Sequence, residues 1–452
     1  MAVVEPLSFL KSFINFELQT NPQYYANFRI DRVVELLRLV GNPQKKIKCF
    51  HIAGSKGKGS TCAFAAYILR EAGYKVGLYT SPHLTDYKER IRILSPTEQP
   101  HQADFLSGQI SEQELVSQIE KIKPAVEILQ KENKFGVLTY FEVLTVLALC
   151  HFEESQVEFA VLETGLGGRL DATNAVDSCV CAITPISLEH TQLLGPTIKD
   201  IAQEKAAIIK SKEQVAVIAP QLNEAKVVLE ARCRNVGAKS ICVGKDIQSR
   251  VIEQTIQGQI FDIQGMRKYS YLKTRMPGEH QIINAAVAVG MIESLRHFGV
   301  NVGEDAIRKG IEGTFWPGRF EVIQEKPLVI LDGAHNAASC EALVKTFREI
   351  LPEKNVILVL SISQDKDIAA ICARLNHIAG RIILTKTRHP RTIDWDKIEV
   401  AELFPGKKIF IAENTTQAME LALQKVSGND VVLVAGSLFL VGEIRELCLK
   451  QV

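Results

Sequence analysis

The residues with the clearest chemical potential stand together as Gly54-Ser55-Lys56-Gly57-Lys58-Gly59-Ser60-Thr61, directly after an apolar run and directly before a helical one. Glycines in such a loop let backbone N–H groups turn inward around an anion, the helix N-terminus adds partial positive charge, and Lys58 supplies a full one. The pattern predicts a phosphate site. It is a variant of the GxxxxGK[ST] loop, because the position six before Lys58 is Ile52 and Gly59 separates Lys58 from Ser60. Lys56 reads as solvated surface. Glu163, at the end of an apolar run and before a glycine-rich stretch, suits a carboxylate ligand to a hard cation. Tyr140 and Phe141 beside Glu142 suit a flat heterocycle with N–H donors, or equally a core pair entering an apolar helix. Read alone, His190 is a hydrogen-bonded structural histidine, Lys205 an exposed helix residue beside Glu204, and His335 as readily the neighbour of a helix cap as a ligand.

These groups need elements to hold them. Short β-branched runs alternate with longer amphipathic stretches, which predicts parallel sheets covered by helices, an α/β fold. In the first part, strands are expected at 49–53, 75–79, 159–162, 179–183 and 214–218, with helices at 60–72 and about 198–209. A second series begins near Phe320, with strands at 328–331, 356–360, 381–384, 408–411 and 431–434. Helices are expected there at 337–350, 368–376, 415–425 and 438–447. Between the two series, Gly313-Thr314-Phe315-Trp316-Pro317-Gly318 is a turn cluster that suits a hinge. The division expected is 1–315 and 316–452. The polar stretch 95–132 reads as an insertion over a site. No repeat of solenoid period and no low-complexity tract is present.

The whole chain bounds the function classes. Its 452 residues carry 53 Lys+Arg against 52 Asp+Glu, so no global field draws in nucleic acid or an anionic membrane, and neither is expected as a partner. An anionic ligand must be held locally. No apolar run approaches the ~18 residues of a membrane span, and Glu5 stands where a signal peptide wants basic charge. Ten scattered cysteines without a CxxC pair read as free thiols in a reducing cytosol. The expected localisation is cytoplasmic.

Beyond the loop, the chain carries Tyr79-Thr80-Ser81-Pro82-His83-Leu84 with Glu89-Arg90-Ile91-Arg92, Thr139-Tyr140-Phe141-Glu142, and Leu162-Glu163-Thr164-Gly165-Leu166-Gly167-Gly168-Arg169-Leu170-Asp171-Ala172-Thr173-Asn174. In order follow Glu189-His190-Thr191, Glu204-Lys205-Ala206, Gly278-Glu279-His280-Gln281 with Asn284, Trp316-Pro317-Gly318-Arg319-Phe320-Glu321, and Leu331-Asp332-Gly333-Ala334-His335-Asn336. From about residue 25 to the C-terminus the chain resembles the folylpolyglutamate synthase/dihydrofolate synthase family, within the wider Mur ligase group. The resemblance implies a P-loop-containing, mostly parallel sheet domain followed by a smaller Rossmann-like domain. It implies an ATP-dependent ligase that joins L-glutamate to dihydropteroate, to folates, or to both, through an acyl phosphate. Another Mur-type ligase of cell-wall precursors, or a relative that has lost catalysis, are the competing readings.

Residue by residue, the resemblance places Lys58, Lys205, His190 and Arg319 in catalysis. Gly57, Lys58, Gly59 and Ser60 match the phosphate loop, Asn284, Arg319 and Asp332 match positions for base, phosphates and ribose, and His335 lies beside the nucleotide. Ser81, Glu163 and His190 match Mg²⁺ positions, with Ser60 reaching a nucleotide-side ion, so two ions are implied. Lys205 matches a lysine that the family carbamylates. Thr139, Tyr140, Phe141 and Glu142, and separately Leu170, Asp171 and Ala172, match pterin-binding segments. Two departures stand out: Arg29 replaces a usual glycine near the N-terminus, and Ala207 another after the carbamylated lysine. With both halves of the site on one chain, a monomer is expected.

Overall fold

A computed structural model describes residues 4–18, 28–96, 107–132 and 134–450. The strands are Lys48–Ala53 (β1), Val76–Tyr79 (β2), Ile91–Leu94 (β3), Phe159–Glu163 (β4), Val180–Ile183 (β5), Val215–Ile218 (β6), Lys239–Cys242 (β7), Gln248–Thr255 (β8), Gly258–Gln264 (β9), Lys268–Thr274 (β10), Glu321–Glu325 (β11), Leu328–Leu331 (β12), Asn355–Leu360 (β13), Ala379–Leu384 (β14), Lys408–Ile411 (β15) and Asp430–Ala435 (β16). The first sheet runs β3-β2-β4-β1-β5-β6-β7. All of its pairs are parallel except β2 with β3. Every residue of β2, β4, β5 and β6 is buried. Such continuous apolar strands belong to sheets covered on both faces.

The helix Lys58–Glu71 is buried along nearly its whole length, so it needs apolar character all round. Ala63, Ala65 and Ala66 keep it slim, and Gly310 lets a neighbouring helix approach so closely that a Cβ there would stand 2.4 Å from the Ile68 Cα. On the other face of the sheet, helices Ile30–Leu39, Glu112–Glu132 and Tyr140–Glu154 close a second core. The helix Glu112–Glu132 contributes Leu115, Ile119, Ile122, Val126 and Leu129 to that core. The stretch expected as a polar insertion therefore supplies a core element, while residues 97–106 of it lie outside the described residues.

The small antiparallel sheet β10-β9-β8 follows β7 and was not expected from the sequence. The third sheet runs β11-β12-β16-β13-β14-β15, with β11 antiparallel and the rest parallel. All five expected strands of the second series are present in it. Among the described residues no helix is long and apolar enough to cross a membrane. All ten cysteines are free, and six are buried.

Candidate active site

The parallel register brings the C-terminal ends of three strands of the first sheet to one edge: Ile52 of β1 pairs with Glu163 of β4, and Ala53 with Ile183 of β5. The anion loop leaves β1 at that edge. Gly54 is required by close approach, since a Cβ there would stand 1.8 Å from Thr184 Oγ1. Gly57 caps the following helix with φ 83, a left-handed conformation that favours glycine, and a Cβ on it would meet Asn284 Oδ1 at 2.1 Å. Asn284 is thereby brought to the loop from the helix Glu279–Ser294, where Gln281 Oε1 accepts its Nδ2–H at 3.0 Å. Gly59 lies under the Trp316 indole of the expected hinge, 3.1 Å from a Cβ to Nε1.

Charge converges here. Glu163 is 5% exposed, accepts the Ser81 N–H at 3.1 Å, and stands 3.9 Å from Lys58 Nζ. Burial pushes its carboxyl up, and Lys58 and the Ser81 N–H oppose that. Lys205 is 1% exposed, so the alternative reading as an exposed helix residue fails. Its Nζ donates to the Gly54 carbonyl at 2.9 Å and pairs with Glu189 at 2.9 Å. Burial lowers the Lys205 pKa against the pull of Glu189. Burial alone would raise Glu189, yet Lys205, Lys58 and Lys56 together hold its carboxyl well below the usual range. The reading of Lys56 as solvated surface is corrected: its Nζ is buried, without a hydrogen-bond partner among the described residues, and 3.7 Å from Glu189. Burial pushes its pKa down to about 8. His190 adopts φ 46 at the head of the short helix Thr191–Leu194 and is exposed.

The third sheet contributes from beyond the turn cluster expected as a hinge. Asp332, at the end of β12, accepts the backbone N–H groups of Phe320 at 2.9 Å and Ala334 at 2.8 Å. Burial raises its pKa against the nearby Arg319. Arg319, in turn, is within electrostatic reach of both Asp332 and Glu163, and burial lowers its pKa. His335 holds the Gly333 carbonyl through Nδ1 at 2.8 Å, and burial, with Lys56 next, pushes its pKa down to about 3. A narrow cleft lined by Gly59, Ser81, Glu163, Trp316, Arg319 and Leu438 joins the two sides.

The aromatic segment sits beside this edge. Thr139 caps the helix Tyr140–Glu154 in a capping box with Glu142. The Glu142 carboxylate also pairs with Arg32 at 2.7 Å, both side chains being buried. Phe141 packs on Gly165, where a Cβ would stand 2.6 Å from the ring, and lies 5.8 Å from the Tyr79 ring. Asp171 organises its own loop by accepting the N–H groups of Leu166 and Thr173. Ala172 is buried, and Leu170 is half-buried. Arg29 pairs with Asp31 at the surface, while Asn27 before it lies outside the described residues.

Three residues of this site went unassigned in the sequence: Glu189, Lys56 and Trp316. Glu189 adjoins His190 in the same block, and that adjacency was the available signal. Ser60 is buried on the first turn of the loop helix.

Residues 318–438 match the Mur ligase, glutamate ligase domain, and residues 109–292 the Mur ligase middle domain. Fold and site together define a Mur-type ligase. A Bacillus subtilis relative named dihydrofolate synthase/folylpolyglutamate synthase is 32% identical, with 92% of this chain and 94% of the relative covered. An Escherichia coli relative of the same name is 33% identical over 88% of this chain and 86% of its own. The solved Mycobacterium tuberculosis folylpolyglutamate synthase complexed with ADP superposes with a TM-score of 0.87 at 30% identity, covering 99% of this chain and 98% of that one. The chain belongs to the folylpolyglutamate synthase/dihydrofolate synthase family.

Proposed function

We propose that the chain is an ATP-dependent ligase that joins L-glutamate to dihydropteroate, to the γ-carboxylate of folates, or to both. The observation that carries this reading is the convergence of Lys58, Glu163 and Lys205 at one sheet edge with Arg319 and Asp332 from across the hinge. A carboxylate is a poor electrophile, so phosphorylation by ATP supplies a leaving group and the glutamate amine then displaces it through a tetrahedral intermediate. Lys58 and Arg319 supply positive charge to the transferring phosphoryl group from two sides. The solved E. coli FolC in complex with DHPP and ADP (TM-score 0.84, 29% identity) supports a nucleotide and a pterin in one cleft. In that cleft the segments Thr139–Glu142 and Leu170–Ala172 are assigned to the pterin. Phe141 offers a ring there, whereas Glu142 and Asp171 act by shaping their loops. Asn284, Asp332 and His335 are assigned to the nucleotide, and 1–315 and 316–452 to the two domains.

Mg²⁺ fits the donor set. Glu163 and Ser81 are neighbours and offer hard oxygen ligands, few in number, as an ion also bound to phosphate oxygens requires. His190 would complete the protein's share, and a bound ion would neutralise phosphate charge. For Lys205, burial favours the neutral amine that carbamylation needs. An intact mass one carbon dioxide heavier, lost in the Lys205→Ala variant, is the expected sign. Free thiols suit a reducing compartment, so the cytoplasm is assigned, and a monomer is assigned because both halves of the site lie on one chain.

The test offers ATP and glutamate with dihydropteroate, tetrahydrofolate or a UDP-muramoyl acceptor in turn. ADP release with a pterin is expected. Release only with the UDP-muramoyl acceptor would transfer the chain to the cell-wall ligases, and no release with any acceptor would leave a binding relative without catalysis.

A further inference from the structure

The ligase reading leaves Lys56 without a task, although the backbone fixes its place. The Ser55 and Lys56 N–H groups both donate to the Pro185 carbonyl, at 3.1 and 3.2 Å, and Ser55 Oγ donates to the Ser187 carbonyl at 3.1 Å. These bonds tie the anion loop to the segment that carries Glu189. Lys56 Nζ is buried there without a hydrogen-bond partner among the described residues, and it meets Glu189 only at 3.7 Å, beyond hydrogen-bond reach. An ammonium has three donors and no acceptor, so burying it forfeits hydration that only nearby oxygens can replace. Here cation exceeds anion. Lys205, Lys58 and Lys56 all act on the single carboxylate of Glu189, and Lys58, Lys366 and Lys205 in turn repel Lys56.

Lys205 approaches the same carboxylate through its other oxygen. Its backbone is held closely: a Cβ on Gly168 would stand 3.1 Å from the Lys205 Cα, and the Arg169 N–H donates to the Glu204 carbonyl at 2.9 Å. Lys205 Nζ donates to the Gly54 carbonyl at 2.9 Å and pairs with Glu189 Oε1 at 2.9 Å, while Lys56 faces Glu189 Oε2. Burial lowers the Lys205 pKa, Glu189 opposes that, and Lys58 adds to the lowering. A carbamate on this nitrogen keeps one N–H, which suits the Gly54 carbonyl, and turns the direction facing Glu189 from cation to anion. Two anions then stand where an ion pair stood. Such neighbours disfavour each other unless a cation lies within reach of both. Glu189 and the carbamate on one side, with Lys56 and Lys58 on the other, bring the charges of the cluster into balance.

We infer that Lys56 is the counter-ion of a carbamate on Lys205, its unpaired N–H donors taking the carbamate oxygens, and that it sets how much dissolved carbon dioxide the site needs to become modified. This rests on the carbamylation proposed above. In the step itself the neutral Lys205 amine attacks the carbon of carbon dioxide: the N–C bond forms, one C–O π pair moves onto oxygen, and the nitrogen's proton passes to water. Lys56 takes no part in those bond changes. It is a positioning residue that stabilises the product anion by charge-assisted bonds.

The experiment titrates isotopically labelled bicarbonate into the full-length protein and follows the carbamate carbon by NMR, without nucleotide and in EDTA, so that no divalent cation stands in for Lys56. Wild type is compared with Lys56→Met, Lys56→Arg and Lys205→Ala. Wild type is expected to give a carbamate resonance that Lys205→Ala lacks, which separates it from the α-amino group and surface lysines. In Lys56→Met the bicarbonate concentration for half-modification should rise on the order of 10- to 100-fold, the scale of one opposite charge at close range. Lys56→Arg keeps the charge and should recover most of that loss. The wild-type midpoint in Lys56→Met overturns the inference and leaves the carbamate standing; so does an Arg variant no better than Met, which makes the effect one of packing. Circular dichroism and melting identify a variant that fails to fold, and Lys56→Gln then replaces Lys56→Met in the comparison. Wild-type protein without a Lys205-dependent resonance refutes the carbamylation itself, and the counter-ion with it.

Discussion

At the scale of single residues, the phosphate centre is an arrangement of cations around two carboxylates, Glu163 and Glu189, with different tasks. Glu163 has one lysine near it, Lys58 at 3.9 Å, and its other oxygen accepts the Ser81 N–H; Glu189 is enclosed by Lys205, Lys56 and Lys58 and is fixed as an anion. Lys58→Ala and Glu163→Ala are expected to fold normally and to lose turnover on the order of 100- to 1,000-fold, the scale of one preorganised electrostatic contact in a transition state. ADP-release kinetics beside melting curves check this, and unchanged rates in either variant would remove the assigned role. A pH effect belongs to Glu17. Burial raises its pKa, but Arg90 outweighs burial and leaves it below the ordinary 4.5. A depressed folded-state value gives stability that is complete above about 4.5 and lost as pH falls below it. Glu17→Gln should therefore melt below wild type at neutral pH, with the gap closing in acid; a gap that stays constant with pH would exclude the linkage. Lys58 and Glu163 could be singled out in the sequence, and the structure brings them within 3.9 Å of each other, because loop chemistry is local in sequence. Lys56 was misread because its neighbours Glu189, Lys366 and His335 come from distant loops, and no local pattern reports that burial.

At the scale of elements, the inner strands β1, β2, β4, β5, β6, β12, β13, β14 and β16 were legible because burial on both faces writes continuous apolar runs, whereas the edge strands β3, β7 and β11 were not expected. The sheet β8-β9-β10 was not, for the same reason inverted: β8 is exposed along most of its length, so it carries no apolar run to betray it. The helix Tyr140–Glu154 shows a further limit. Its Glu142 reads as a polar group offered to a heterocycle, and the structure gives it a capping bond and a buried ion pair with Arg32. Removing one member of such a pair leaves an uncompensated charge, so Arg32→Met should destabilise the fold by about 3–5 kcal/mol. The double variant Arg32→Met/Glu142→Gln should recover part of that loss. Urea unfolding measures both. A double variant as unstable as the single one would show that packing, not charge, sets the cost.

At the scale of the whole molecule, the near-zero net charge conceals where two cations of the candidate site stand, on either side of the turn cluster 313–318. Lys58 follows β1 of the first sheet and Arg319 precedes β11 of the third, and the turn cluster before Arg319 is packed, with Trp316 over Gly59 and Gly318 against Val441. Gly318 has φ 66, and a Cβ on it would stand 2.8 Å from the Val441 side chain, so the turn fixes the direction in which Arg319 leaves it. Arg319 lies within electrostatic reach of Glu163 while donating its own Nη1–H to the Gly318 carbonyl at 3.0 Å. On the proposed function, an arginine held this way would act on charge that develops during phosphoryl transfer more than on the nucleotide at rest. Arg319→Ala should lower kcat on the order of 1,000-fold, while ADP affinity, measured calorimetrically, falls far less. An affinity loss as large as the rate loss would instead make Arg319 a ground-state nucleotide clamp, and would shift the demand for transition-state charge back onto Lys58 and the first domain.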